Sequence, residues 1–192
     1  MKSKNPYVII TVQEVEPFME GSMEMYQAGD KVVYGMHGVC VVVELEKRVV
    51  ERRTVTYLVL EPVGQRGSRY LVPAHNEAAM KKVRPMLSKE EMDALFSSGA
   101  VRADGWIKDE GQRKQYYRDL INSGDRQRLL QMLHTLYRHR DSQNAQGKKV
   151  HMCDDNFLRD AEKLLCSELS VILDLPANEA KQYLRKNLKE DA

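Results

Sequence analysis

The chain has 192 residues, with 30 Lys and Arg against 28 Asp and Glu, which leaves a net charge of +2. This length allows one large domain or two small ones, and the near-zero charge argues against a uniformly basic, histone-like binder while permitting a local basic face. No run approaches the ~18 apolar residues of a membrane span, and the three widely spaced cysteines fit free thiols in a reducing cytoplasm. We therefore expect a cytoplasmic protein without a membrane partner.

Residues 1–25 precede the first clear motif, and we interpret them as a leader or a tag. Gln13, Glu14 and Glu16 interrupt the apolar run in this segment, which argues against a signal peptide. The pattern typical of strands begins at Tyr26.

Short runs rich in Val, Tyr and Thr alternate with glycine-bearing turns from residue 26 to residue 86. Such residues suit half-buried strands, and the glycines are spaced as in a small antiparallel sheet. The segment has the size of a Tudor- or SH3-like antiparallel β-barrel. The predicted strands cover residues 32–34, 39–45, 49–50, 54–60 and 70–72, with a polar interruption at residues 51–53.

After residue 87 the pattern becomes helical, and residues 87–105 are predicted to form one helix followed by a linker. Ser88 and Glu91 have the spacing of a capping box, in which each side chain accepts a free backbone N–H. Residues 106–192 then form an all-α domain, so the chain is predicted to be a two-module α+β protein. Four helices are predicted in this domain. The first covers residues 113–121, and the second begins after Asp125. The third begins after Asp154 or Asp155, and the fourth begins at Pro176.

Positive charge is concentrated between residues 113 and 149, where nine Lys and Arg residues occur with three Asp residues, a local charge of +6. Leucines occupy one face of the helix after Asp125, so Arg126, Arg128, Arg138 and Arg140 are expected to face solvent. A basic surface beside a helical core is typical of proteins that bind the phosphate backbone of nucleic acids. An ordinary solvated helix face is the alternative. Our candidate phosphate contacts are Arg113, Lys114, Arg118 and Arg138.

Trp106 is the only tryptophan of the chain and directly precedes the basic segment. A tryptophan near a domain boundary is commonly a packing anchor, because it buries a large apolar area. It can also serve as a wedge or stacking platform for an unstacked base. The sequence leaves both interpretations open.

The sequence has no P-loop, dinucleotide-binding, zinc-protease or nucleophile-elbow motif. We therefore expect no enzyme activity, no small-molecule substrate and no cofactor. His151 and Cys153 lie close together, but no second pair of ligands at a recognised spacing completes a zinc site. A metal-binding protein or enzyme using these two residues is a further hypothesis.

Five segments carry a resemblance to a known family. Residues 26–39, 57–60 and 70–74 resemble CarD-like transcriptional regulators and the RNA-polymerase-interacting domain of transcription-repair coupling factor. Residues 123–137 and 161–165 resemble the CarD C-terminal domain. The two halves occur in one order and in one chain, without a helicase motor, which favours the CarD-like family over the repair factor.

The resemblance implies that the N-terminal domain docks on the β subunit of bacterial RNA polymerase. It also implies that the helical domain contacts promoter DNA, where a tryptophan wedges into the minor groove and stabilises the open complex. Arg48 falls at a basic polymerase contact of the family, and Leu71 stands where another arginine is expected, with Arg69 nearby. Trp106 is the candidate wedge.

A second hypothesis is a protein-interaction module that docks on polymerase without touching DNA. Residues 150–192 carry six basic and nine acidic side chains, a local charge of −3, which is compatible with this version.

Overall fold

The first described module is a five-stranded antiparallel sheet. The computed structural model describes residues 26–65, 67–99 and 101–189, so the predicted leader lies outside the described residues. The strands follow the order β4-β3-β2-β1-β5 across the sheet, and a short helix, α1 (Glu77–Met80), precedes the last strand. The strands are β1 (Lys31–Tyr34), β2 (Val39–Val50), β3 (Arg53–Pro62), β4 (Tyr70–Pro73) and β5 (Val83–Pro85).

The hairpin between β2 and β3 turns at the polar interruption seen in the sequence. Glu51 and Arg52 have φ angles of 50° and 64°, so both occupy the left-handed region that a two-residue hairpin turn requires. β4 pairs with β3 only along residues 57–60, so the hairpin continues beyond it as a two-stranded ribbon. Val49 is 76% exposed on that ribbon.

One face of the sheet forms the core of the first module. Its core side chains occupy alternate positions, such as Leu58 and Leu60 of β3, as the period of two residues in a β-strand dictates. Val59 between them projects from the other face and is also buried. β4 and β5 form the two edges of the sheet in the described residues, and closure into a Tudor-like barrel stays a prediction. The core residues are Val32, Cys40, Val42, Leu58, Leu60, Val72 and Val83.

The second module is helical, which confirms the predicted two-module α+β fold. Its helices are α2 (Lys89–Ser97), α3 (Glu110–Ser123), α4 (Arg126–Ala145), α5 (Met152–Ile172) and α6 (Ala177–Lys189). No helix within the described residues is both long and apolar enough to cross a bilayer. Side chains of α2 and the following segment, including Met92, Phe96 and Val101, are buried with the leucines of α4, α5 and α6.

Two of the predicted helix caps are confirmed, and one is wrong. Ser88 and Glu91 form the capping box of α2, and the Asp125 carboxylate accepts the N–H of Arg128 at the start of α4. The cap of α5 is His151, whose Nδ1 accepts the N–H of Cys153 at 3.3 Å, rather than an aspartate. Asp154 lies inside the first turn of α5, where an arginine of α3 binds its carboxylate.

The two modules contact each other through a group of charged side chains that we call the inter-module cluster: Arg84, Arg126 and Glu168. Arg84 of β5 donates a hydrogen bond to the carbonyl of Gly124, between α3 and α4. Arg126 of α4 donates to the carbonyl of Pro85 at 2.6 Å and to the carboxylate of Glu168 at 2.7 Å. Arg126 is therefore largely buried, and the prediction that it faces solvent is wrong.

Two glycines with positive φ allow this close approach. Gly124 has a φ of 63°, and a Cβ at this position would clash with the guanidinium of Arg84. Gly38 has a φ of 75°, and a Cβ there would lie 2.8 Å from Ser167 Oγ of α5. A side chain at either position would strain the backbone and push the modules apart.

Candidate functional site

The face of the sheet opposite the core carries Leu71, one of the predicted polymerase contacts. Leu71 of β4 pairs with Val59 of β3, which in turn pairs with Glu44 of β2. Directly paired residues of an antiparallel ladder project from the same side. These three side chains therefore form one row on this face, in which Val59 is fully buried, Leu71 is half-buried and Glu44 is exposed.

The two predicted polymerase-binding arginines lie on the same face. Arg48, which follows Glu46 by two residues on β2, donates hydrogen bonds to both carboxylate oxygens of Glu46, at 2.8 and 2.9 Å. Arg69 lies 3.7 Å from the carboxylate of Glu44, and its side chain is 49% exposed. We call Glu44, Glu46, Arg48, Arg69 and Leu71 the outer sheet face.

The surroundings of Glu46 on the outer sheet face favour its charged form. The hydrogen bond from Arg48 holds the pKa of Glu46 below its usual value, and the charges of Arg48 and Arg69 act in the same direction. Glu44 and Glu46 were not predicted as site residues. Their alternation with Arg48 along β2 is the signal that could have found them, because a period of two marks one face of a strand.

Trp106 lies in the segment between α2 and α3 and is half-buried. Its indole stacks on the imidazole of His139 in α4, with ring centroids 3.5 Å apart and planes 8° from parallel. Burial lowers the pKa of His139, the positive charge of Arg113 lowers it further, and Asp154 opposes both effects. His139 therefore contributes a neutral ring to the stack at pH 7.

Backbone contacts hold the segment before Trp106 against α4. The N–H of Asp104 donates to the hydroxyl of Thr135 at 2.8 Å. The carbonyl of Val101 lies 3.1 Å from Nδ1 of the buried His134. The approach to the indole is thus anchored on the same helix that supplies His139.

Arg113 points into the helical module and is only 5% exposed. Its Nε and Nη2 donate to the two oxygens of Asp154 at 2.8 and 3.1 Å. Its Nη1 donates to the carbonyl of Ile107 at 2.8 Å, and its Cζ lies 4.5 Å from the centroid of the Trp106 ring. The guanidinium that we predicted to contact phosphate is therefore hydrogen-bonded to partners inside the protein.

The other predicted DNA contacts lie at the surface. Lys114 forms an ion pair with Glu110 one turn earlier in α3. Arg118 is exposed and donates to the side chain of Gln115 at 3.2 Å. Arg138 is exposed, has no ion-pair partner among the described residues, and directly precedes the residue that stacks on Trp106.

The residues described here contain no group of three or more His, Cys, Asp or Glu side chains arranged to hold a metal ion. His151 uses Nδ1 as the helix cap, and its Nε2 lies 3.7 Å from the carboxylate of Glu110. The three cysteines are free thiols, and burial raises the pKa of both Cys40 and Cys166 to about 11.

Comparison with protein families matches both modules in order. Residues 26–84 match the CarD-like/TRCF RID domain, and residues 106–185 match the CarD C-terminal domain. The resemblance predicted from the sequence is confirmed over most of the chain. The chain therefore belongs to the CarD family of RNA-polymerase-interacting transcription regulators.

Proposed function

We propose that this protein docks on the β subunit of bacterial RNA polymerase through the outer sheet face. In the same complex, the surface around Trp106 contacts promoter DNA and stabilises the open complex. The observation that carries the proposal is the grouping of Arg48, Arg69 and Leu71 on one face of a domain of the polymerase-interacting type.

The arginines of the outer sheet face can exchange their present ion-pair partners for carboxylates of another protein. Exposed ion pairs contribute only about 0–1 kcal/mol to stability, so a partner's carboxylates can replace Glu44 and Glu46 at little cost. An arginine can bind such a carboxylate with two parallel hydrogen bonds. Leu71 adds an apolar contact between the charged groups.

The DNA contact requires little base specificity, because the polymerase already sets the position on the promoter. Unstacking a base step costs about a few kcal/mol, which an aromatic wedge and nearby cations can offset. Arg118 and Arg138 are the exposed cations of the predicted set. Arg138 is adjacent in the chain to His139, on which the indole of Trp106 stacks.

A protein that docks on polymerase without touching DNA is the second candidate. Two observations favour it: Arg113 and Arg126 are both neutralised inside the protein, by Asp154 and Glu168. The local charge of the basic segment therefore exceeds the charge that its surface displays.

The docking proposal is tested by reversing charge on the outer sheet face. The double substitution Arg48→Glu and Arg69→Glu should weaken binding to the isolated polymerase β subunit at least tenfold, or by about 1.4 kcal/mol. The matched control is Arg159→Glu, which breaks an exposed ion pair on α5 in the other module. Unchanged affinity of the double variant, measured by calorimetry, would overturn the docking proposal.

The DNA contact is tested with Arg118→Ala and Arg138→Ala in one chain, with Arg159→Ala as the control. We expect shorter-lived open complexes and unchanged affinity for polymerase. The salt dependence of the complex should weaken by about 0.9 in log–log slope for each lost phosphate contact. Open complexes with the lifetime and salt dependence of wild type would favour docking without DNA contact.

A further inference from the structure

The Trp106 indole lies outside regular secondary structure, so other contacts must set its orientation. Arg113 is the residue that reaches both the ring and the backbone beside it. Its guanidinium carbon lies 4.5 Å from the ring centroid, and its Nη1 donates to the carbonyls of Ile107 at 2.8 Å and Lys108 at 3.4 Å. One side chain of α3 thus fixes the indole and the two residues that follow it.

Asp154 fixes Arg113 in turn. Its carboxylate, on α5, is 2% exposed, and each oxygen accepts one hydrogen bond from Arg113. Two parallel hydrogen bonds determine the plane of a guanidinium as well as its position. A lysine could not reproduce this geometry, because its ammonium group is a compact charge without a plane.

Stability alone does not account for this pair. Apolar side chains of similar volume can often replace a buried ion pair at no net cost, because desolvation offsets most of the attraction between the charges. The planar guanidinium of Arg113 hydrogen-bonds two backbone carbonyls and lies over the indole, so it can set the orientation of the indole. Apolar packing is less directional than such hydrogen bonds.

We propose that Arg113 and Asp154 are positioning residues that hold Trp106 in the orientation presented to a ligand, and that Arg113 makes no phosphate contact itself. The orienting part concerns the free protein. The statement about phosphate rests on the proposed function, in which Trp106 meets promoter DNA.

The first test uses Trp106 as the only tryptophan of the chain. In Asp154→Asn, checked for helical content by circular dichroism, we expect acrylamide quenching of tryptophan fluorescence to rise towards its value in the unfolded chain. Glu168→Gln is the matched control, since it breaks the other buried arginine–carboxylate pair of this module, away from Trp106. This control should lose stability and keep wild-type quenching. A folded Asp154→Asn protein with wild-type quenching would overturn the proposal.

The second test separates orientation from charge and does not depend on the first variant. A positioning role predicts that Arg113→Lys increases quenching in the free protein and shortens the lifetime of open complexes as much as Arg113→Ala. A phosphate contact predicts that Arg113→Lys retains both wild-type properties, and this result would overturn the proposal.

Failure of the proposed function can be recognised separately. If Trp106→Ala leaves the lifetime of open complexes unchanged, the indole has no role in DNA contact. The quenching measurements on the free protein would still decide whether Arg113 and Asp154 orient it.

Discussion

Replacing Glu162 with alanine should lower the free energy of unfolding by about 3 kcal/mol. The Glu162 carboxylate on α5 is almost fully buried and accepts hydrogen bonds from Tyr137 of α4 at 2.6 Å and Arg185 of α6 at 2.9 Å. It also pairs with Lys181 at 2.5 Å. The expected loss is at the low end for a broken buried ion pair, because Lys181 and Arg185 are 42% and 38% exposed and can be rehydrated.

Urea unfolding followed by circular dichroism measures this loss. Asp155→Ala provides the control, since it breaks the exposed Arg159–Asp155 pair and should cost no more than about 1 kcal/mol. Equal losses in the two variants would mean that burial of Glu162 contributes nothing.

The contribution of Glu162 should depend on pH in a defined direction. Burial raises the pKa of this carboxyl, but the hydrogen bonds from Lys181, Tyr137 and Arg185 outweigh burial and hold the pKa below its usual 4.5. The folded state therefore binds this proton less well than the unfolded state, so the stabilisation is present above pH 4.5 and is lost as the pH falls through the lowered pKa. The difference between wild type and Glu162→Ala should shrink below pH 4.5, and a constant difference would contradict this explanation.

The substitution Glu168→Ala should separate the two modules and lower stability by about 3–5 kcal/mol. Glu168 is 3% exposed and is the carboxylate that binds Arg126, whose side chain is 14% exposed. Arg84 belongs to the other module; burial and then the charge of Arg126 lower the pKa of Arg84, whereas Glu168 raises it. Without Glu168, two arginines from different modules would face each other in a partly buried interface.

Small-angle scattering and urea unfolding test this expectation together. We expect Glu168→Ala to have a larger radius of gyration and to unfold in two transitions, one for each module. Asp155→Ala again serves as the control, because Asp155 lies on the same helix but pairs at the surface. A Glu168→Ala protein with the wild-type radius and a single unchanged transition would show that the inter-module cluster does not hold the modules together.

The inter-module cluster also bears on the proposed function. A regulator that binds polymerase with one module and DNA with the other must hold its two binding surfaces at a defined distance. Here these surfaces are the outer sheet face and the surface around Trp106. Glu168→Ala should therefore keep its affinity for the polymerase β subunit and lose the effect on open complexes.

The local features of this fold could be predicted from the sequence because they depend on neighbouring residues. Short runs rich in Val, Tyr and Thr between glycine-bearing turns marked the strands, and apolar side chains three and four positions apart marked the helices. The caps at Ser88 and Asp125 were predictable because each accepts an N–H only three residues away. Strand β5 (Val83–Pro85) was not predicted. It has only three residues, one valine followed by an arginine and a proline, and so short a segment shows no recognisable strand pattern.

Side-chain pairing between helices was decided by tertiary structure. Arg113 binds Asp154 from 41 positions away, and Arg126 binds Glu168 from 42 positions away. Their charges were evident in the sequence, but the direction of each side chain depends on which helices pack together. In the packed helices Asp154 binds Arg113, and His151 rather than an aspartate caps α5.

The order of the two modules, the leucine face of the helix after Asp125 and the family resemblance could all be predicted from the sequence, because periodicity and motif spacing are properties of the chain. Tertiary structure alone decided which cations remain at the surface. A buried arginine requires hydrogen-bond acceptors. For Arg113 and Arg126 these include the carboxylates of Asp154 and Glu168, which come within reach only when separate helices pack together.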